Sequence, residues 1–138
     1  MLVNPIRDGI VLDHITAGKG MELYKILRLN ELECTVAIIT NATSVKMGKK
    51  DIIKIDGEVT LDLDVIGYVD PGVTVNVIRD AVVVERRHLK LPAMISGVKK
   101  CKNPRCITSI EQELPHTFRL VDEATKTYRC IYCESKVK

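Results

Sequence analysis

The chain has 138 residues, of which 46% are hydrophobic and 28% charged, enough to bury the core of one ordinary domain or two small ones. No apolar run approaches the roughly 20 residues of a membrane span, and the start "MLVNPIRDG" lacks the basic lead and apolar stretch of a secretory signal, so a cytoplasmic protein without membrane contact is expected. The formal charge of +3 is unevenly spread: residues 1–92 carry 12 Lys and Arg against 13 Asp and Glu, and residues 93–138 carry 9 against 5.

In chain order, "GIVLDHIT" (9–16) has the β-rich composition of a strand. The segment 18–30 sets Leu23, Tyr24, Ile26 and Leu27 at helical spacing with Glu22, Lys25 and Arg28 between them, which predicts an amphipathic helix. "CTVAIIT" (34–40) is a nearly continuous apolar run of strand length, expected at a covered, central position in a sheet, with Cys34 as a small buried hydrophobe. "KKDIIKID" (49–56) predicts another strand. Residues 60–69 predict a second helix, with acids near its start where the helix dipole favours them. "GVTVNVIRDAVVVERR" then reads as two strands around a tight turn at Arg79-Asp80. The resulting series βαββαββ, two helices over one mainly antiparallel sheet, is an α+β pattern of the split βαβ kind.

Pro92 and Gly97 mark a change of grammar, and a linker is expected near 89–97, dividing a domain over 1–92 from one over 93–138. The last 40 or so residues are too few to fold alone without a cross-link or a metal. Four of the five cysteines lie there as Cys101-x4-Cys106, then 23 residues, then Cys130-x2-Cys133. Two short knuckles that each offer a pair of sulfurs are the pattern of a closed four-cysteine zinc site, and a closed site holds structure rather than catalyses. Rubredoxin-like iron and a disulfide or redox use are the alternatives. His88 and His116 are expected to be exposed or to sit behind the ligands.

On the strand 49–56, period-two alternation puts Lys50, Ile52 and Lys54 on one face and Asp51, Ile53 and Ile55 on the other. Asp13 and His14 in the first strand, and Asn76 and Arg86 in the hairpin, are further polar groups among apolar ones. Together they are the parts of a site for an anionic ligand such as a nucleoside triphosphate; the alternative is an ordinary solvated face. No Walker A loop, Gly-x-Gly-x-x-Gly loop, Ser-His-Asp set or open metal site is present, so no enzyme is expected. With one Phe, four Tyr and no Trp there is little to stack on single-stranded bases, and nucleic acid is not expected as a partner. Lys99, Lys100, Lys102 and Arg105 at the first knuckle are what a rival reading, a nucleic-acid-binding zinc ribbon, would rest on.

"GIVLDHI", "MGKKDIIKI", "TVNVI" with "VVV", and "CKNPRCITS" with "RCIYCE" together resemble the regulatory chain of aspartate carbamoyltransferase over essentially the whole length. The resemblance implies a noncatalytic allosteric subunit in pyrimidine biosynthesis, with a ferredoxin-like N-terminal domain that binds CTP and ATP at one site. It also implies a C-terminal zinc-ribbon or rubredoxin-like domain, with one structural Zn²⁺ on Cys101, Cys106, Cys130 and Cys133, that grips catalytic trimers, and homodimers formed through the N-terminal domains. Carried over by motif, Val11, Asp13 and His14 border base and ribose; Lys50, Ile52 and Lys54 meet the base edge and a ribose or phosphate; Asn76 and Ile78 lie nearby. Arg86 stands where the family has a phosphate-binding lysine, Ala81 near where an aromatic often closes the site, and Asn4 where an acid is usual. At the second knuckle Tyr132 and Glu134, and at the first Asn103 and Arg105, are the expected partner-interface residues.

Overall fold

A computed structural model describes residues 7–111 and 113–137, which form two compact units dividing between Lys90 and Leu91. In the first, β1 (Gly9–Thr16), β2 (Thr35–Ser44), β3 (Gly48–Asp56), β4 (Thr74–Arg79) and β5 (Val82–His88) make one sheet in the order β2-β3-β1-β4-β5. Every ladder in it is antiparallel. Helices α1 (Gly20–Ile26) and α2 (Leu63–Val69) cover one face. The core between them gathers Ile10, Leu12 and Ile15 of β1, Ile53 and Ile55 of β3 and Val75 of β4 with Leu23, Leu29, Ile66 and Val69 from the helical layer. The alternation read from β3 holds: Asp51, Ile53 and Ile55 are at most 1% exposed on the helix side.

Several elements differ from the sequence expectation. The first helix stops at Ile26 because Arg28 takes a left-handed conformation (φ 54°), and a single 3-10 turn, Leu29–Glu31, carries Leu29 back into the core. The second helix begins at Leu63, where the Asp62 carboxylate accepts the N–H groups of Asp64 and Val65, a side-chain cap that satisfies donors otherwise orphaned. The hairpin turn is at Asp80-Ala81, one residue later than expected, closed by the Arg79–Val82 pair. Both turn residues have positive φ (51° and 63°), as a two-residue hairpin loop matching the strand twist requires. The apolar run of β2 is an edge strand, half-buried from Val36 to Ile39, and Cys34 precedes it, also half-buried, against Gly57.

Asp51 ties the sheet to its loops. Its carboxylate accepts the N–H groups of Gly18 and Gly20 on Oδ2 and of Asn41 on Oδ1, each at 3.0 Å. Asn41 (φ 58°) occupies a bulge of β2, where Thr40 and Asn41 together stand opposite the single residue Asp51 of β3. Gly20 is required here, since a Cβ on it would lie 2.8 Å from Asp51 Oδ2.

In the second unit, β6 (Met94–Ser96), β7 (Thr117–Asp122) and β8 (Thr127–Cys130) make a three-stranded antiparallel sheet, with the short helix α3 (Ile107–Ile110) after the first knuckle. The stretch 89–97 is therefore not a free linker: it contains β6, whose Ile95 is 3% exposed. Phe118 and Tyr128, both at most 2% exposed, fill the small core, and the Tyr128 hydroxyl donates to the Pro92 carbonyl at 2.5 Å. Among the described residues, no helix is long and apolar enough to cross a membrane.

Candidate functional site

Cys101, Cys106, Cys130 and Cys133 converge so that their sulfurs all lie within 4.8 Å of one another. Two contacts join one knuckle to the other, Cys101 to Cys133 at 3.5 Å and Cys106 to Cys130 at 3.7 Å. A tetrahedral zinc with Zn–S bonds of about 2.3 Å needs sulfurs about 3.8 Å apart, so the donor set and its spacing fit the metal. Local hydrogen bonds shape the knuckles. The Cys106 N–H donates to the Asn103 carbonyl, the Glu134 N–H to the Cys130 carbonyl, and the Cys130 N–H to the Ser135 carbonyl. Half-buried His116 accepts the Cys101 N–H on Nδ1 at 2.9 Å, so it braces the backbone behind a ligand and is no ligand itself.

Burial pushes the Cys101 thiol up to about 12, while the Ser135 hydroxyl draws Cys133 down to about 6 and the Thr108 hydroxyl lowers Cys106. A divalent cation bound by four thiolates displaces the remaining protons, so metal binding and proton release are one event.

In the first unit the sheet face away from the helices carries the polar residues singled out in sequence. Lys54, Val11, Asn76 and Arg86 are consecutive cross-strand partners from β3 through β1 and β4 to β5. Residues directly opposite share a face, and so do residues two apart, which adds Asp13, Lys50, Ile52 and Ile78. Lys50 Nζ lies 2.9 Å from Asp13 Oδ1. Burial alone would raise the Asp13 carboxyl, but the Lys50 hydrogen bond and charge and the His14 N–H outweigh it, holding the group below the ordinary carboxylate range. Arg86 Nε donates to Asn76 Oδ1 at 2.9 Å, and Asn76 Nδ2 donates to the Val11 carbonyl at 3.5 Å.

His14 is there for a reason that alternation does not predict. Between Leu12 and Ile15, β1 has one residue more than β3, and His14 takes φ 59° in that bulge. Its Nδ1 thereby reaches Thr74 Oγ1 at 3.2 Å. Thr74, opposite Asp13, was not singled out in sequence; only the register points to it. Ala81 is an exposed turn residue, and Asn4 lies outside the described residues.

The four expected interface residues differ in character. Tyr132 is 46% exposed and Arg105 is exposed. Asn103 Oδ1 accepts the Arg105 N–H at 3.0 Å, and Glu134 forms an ion pair with Arg119 at 2.8 Å. Sequence reading passed over Ile107 (44% exposed) and Ile131 (37%), which follow Cys106 and Cys130, whose sulfurs touch.

Compared with models of known protein families, residues 1–90 match the aspartate carbamoyltransferase regulatory chain, allosteric domain, and residues 93–138 the metal binding domain of the same chain. The aspartate carbamoyltransferase regulatory chain of Clostridium acetobutylicum is 47% identical over 138 residues, covering 100% of this chain and 94% of the relative. That of Clostridium botulinum strain Hall is 50% identical over 134 residues, covering 97% and 92%. That of Bifidobacterium longum is 40% identical over 138 residues, covering 100% and 99%. The chain belongs to the aspartate carbamoyltransferase regulatory chain family, as a noncatalytic subunit that joins an allosteric domain to a four-cysteine metal-binding domain.

Proposed function

We propose that the outer sheet face binds the nucleoside triphosphates CTP and ATP in competition, and that the domain over 93–138 passes their effect to catalytic trimers in cytoplasmic pyrimidine synthesis. The observation that carries this reading is the cross-strand row with Lys54 at one end, Arg86 at the other and Val11 and Asn76 between. Two cations flanking an apolar and amide strip suit a charged tail beside a base and ribose. Val11, Ile52 and Ile78 supply apolar contact; Asp13 and Lys50 offer an acceptor and a donor to a base edge, with His14 beside the ribose. Arg86, held by Asn76 through Nε, keeps the rest of its guanidinium for phosphate oxygens.

Zinc on Cys101, Cys106, Cys130 and Cys133 fixes the two knuckles, and Asn103, Arg105, Tyr132 and Glu134 around them face the catalytic chain. Exposed apolar Ile107 and Ile131 favour the same surface. Homodimers form through the N-terminal domain over 1–92; an edge strand β2 with the composition of a central one supports this. An effector shifts the holoenzyme only by the difference in its affinity for the two states, typically about 1–3 kcal/mol.

Size-exclusion chromatography of the zinc-loaded chain with the catalytic trimer of the same organism, followed by CTP and ATP titrations of activity and of binding, tests the reading. A zinc-dependent shift to a larger complex whose activity responds to nucleotide is expected. No complex from folded, zinc-replete chain refutes the interface, and a complex indifferent to nucleotide refutes the effector site.

A further inference from the structure

The second cysteine of each pair is followed two residues later by a hydroxyl, in Cys106-Ile107-Thr108 and in Cys133-Glu134-Ser135. Thr108 Oγ1 lies 3.0 Å from Cys106 Sγ, where either atom can donate, and the Cys133 thiol donates to Ser135 Oγ at 3.3 Å, a direction that reverses once the sulfur is a thiolate. Cys101 and Cys130 have no hydroxyl partner among the described residues. Each of the two sulfur contacts between knuckles therefore joins one hydroxyl-bonded sulfur to one that no hydroxyl meets, and Cys101 takes the Asn103 backbone N–H instead. Thr108 is 2% exposed, and among the described residues the Cys106 sulfur is the sole partner of its hydroxyl.

A buried hydroxyl needs an acceptor, and a metal-bound thiolate has lone pairs and no hydrogen, so in the loaded site the hydroxyl is the donor at both positions. Four thiolates on a divalent ion leave about two net negative charges in a shell with little water. Donors on sulfur spread that charge and fix the orientation of the ligands. Packing alone does not call for a hydroxyl at Thr108, since valine has nearly the same shape.

We propose that Thr108 and Ser135 are metal-positioning residues, whose hydroxyls donate to the zinc-bound thiolates of Cys106 and Cys133 and slow the loss of the metal. The inference rests on zinc occupying the four-cysteine site, so the zinc content of the unsubstituted full chain is measured first. A chain purified without zinc and unable to take it up overturns the occupancy itself, before any variant is compared.

The test compares Thr108→Val, Thr108→Ser and Ser135→Ala in the full chain, with Ser109→Ala as control, because the Ser109 hydroxyl donates to the Asn103 carbonyl at 2.8 Å and not to sulfur. Zinc release to an excess of chromophoric chelator should be about 10-fold or more faster in Thr108→Val, on the scale of lost partners to metal ligands, and should return toward the original rate in Thr108→Ser. In cobalt-substituted protein the thiolate-to-metal charge-transfer band should move to lower energy in Thr108→Val and Ser135→Ala and stay in place in Ser109→Ala. Unchanged release and an unchanged band in both variants overturn the proposal. So does a Thr108→Ser chain that loses zinc as fast as Thr108→Val, since the methyl and not the hydroxyl would then matter. Should Thr108→Val fail to fold, the band of half-buried Ser135→Ala decides alone, and its failure to move overturns the proposal.

Discussion

Lys50 and Asp13 meet at 2.9 Å on the outer face of the N-terminal sheet, with side chains 17% and 25% exposed. The pair joins β3 to β1 and leaves both groups polar and reachable in the middle of the proposed effector face. Its formation depends on register, since Lys50 stands opposite Thr16 and reaches Asp13 diagonally.

The pair predicts a pH dependence of stability. The folded carboxyl of Asp13 lies below the ordinary aspartate value of 3.8, so its contribution is fully present above that value and fades as pH falls through the lower folded value. Denaturant titrations at several pH values between about 3 and 7 should show the unsubstituted chain losing stability relative to Asp13→Asn below about pH 4, with a constant gap above about pH 5. A gap independent of pH across that range would remove the linkage.

Arg86 should matter to nucleotides more than to folding. It is exposed, and removing it leaves Asn76 able to keep its bond to Val11. Charged hydrogen bonds are worth about 1.5–3 kcal/mol, so Arg86→Ala should weaken CTP and ATP binding by about 10-fold to 100-fold with little change in Tm. Arg86→Lys, which keeps the charge and loses the fork, should fall between. Calorimetric titration measures both; equal affinity in all three chains would take Arg86 out of the site.

Asp51 should be among the costliest positions in the first unit. Asp51→Ala strips the acceptor from the N–H groups of Gly18, Gly20 and Asn41, of which the Gly20 bond is fully buried. At about 1–3 kcal/mol for each buried donor left unpaired, a loss of about 3 kcal/mol or more is expected in urea unfolding. Gly20→Ala, which drives a Cβ against the same carboxylate, should destabilise in the same direction. A loss under about 1 kcal/mol in both would mean that water or a shifted loop replaces the tie.

Metal removal should separate the two units. The second buries few large side chains, chiefly Phe118, Tyr128 and Ile95, and structural zinc is worth about 10–16 kcal/mol to comparable small folds. Chelation should unfold residues 91–138 and abolish assembly with catalytic trimers, while the first unit keeps its amide spectrum and its nucleotide binding. Simultaneous loss of both spectra would mean that the first unit depends on the second.

The sequence by itself determined what rests on near neighbours. The cysteine spacing named the four ligands because two pairs on short knuckles are a local arrangement. The alternation Lys50, Ile52, Lys54 against Asp51, Ile53, Ile55 separated the two faces of β3 because successive side chains of a strand must alternate. Long-range pairing decided the rest. The apolar run of β2 reads as a central strand, yet it forms an edge, because composition reports the burial available to a strand and not which strands lie beside it. His14 joins the outer face only through a bulge, which exists relative to the partner strand β3. Thr108 and Ser135 stand beside cysteines in the sequence, but their role follows from sulfurs of two distant knuckles closing into one cluster.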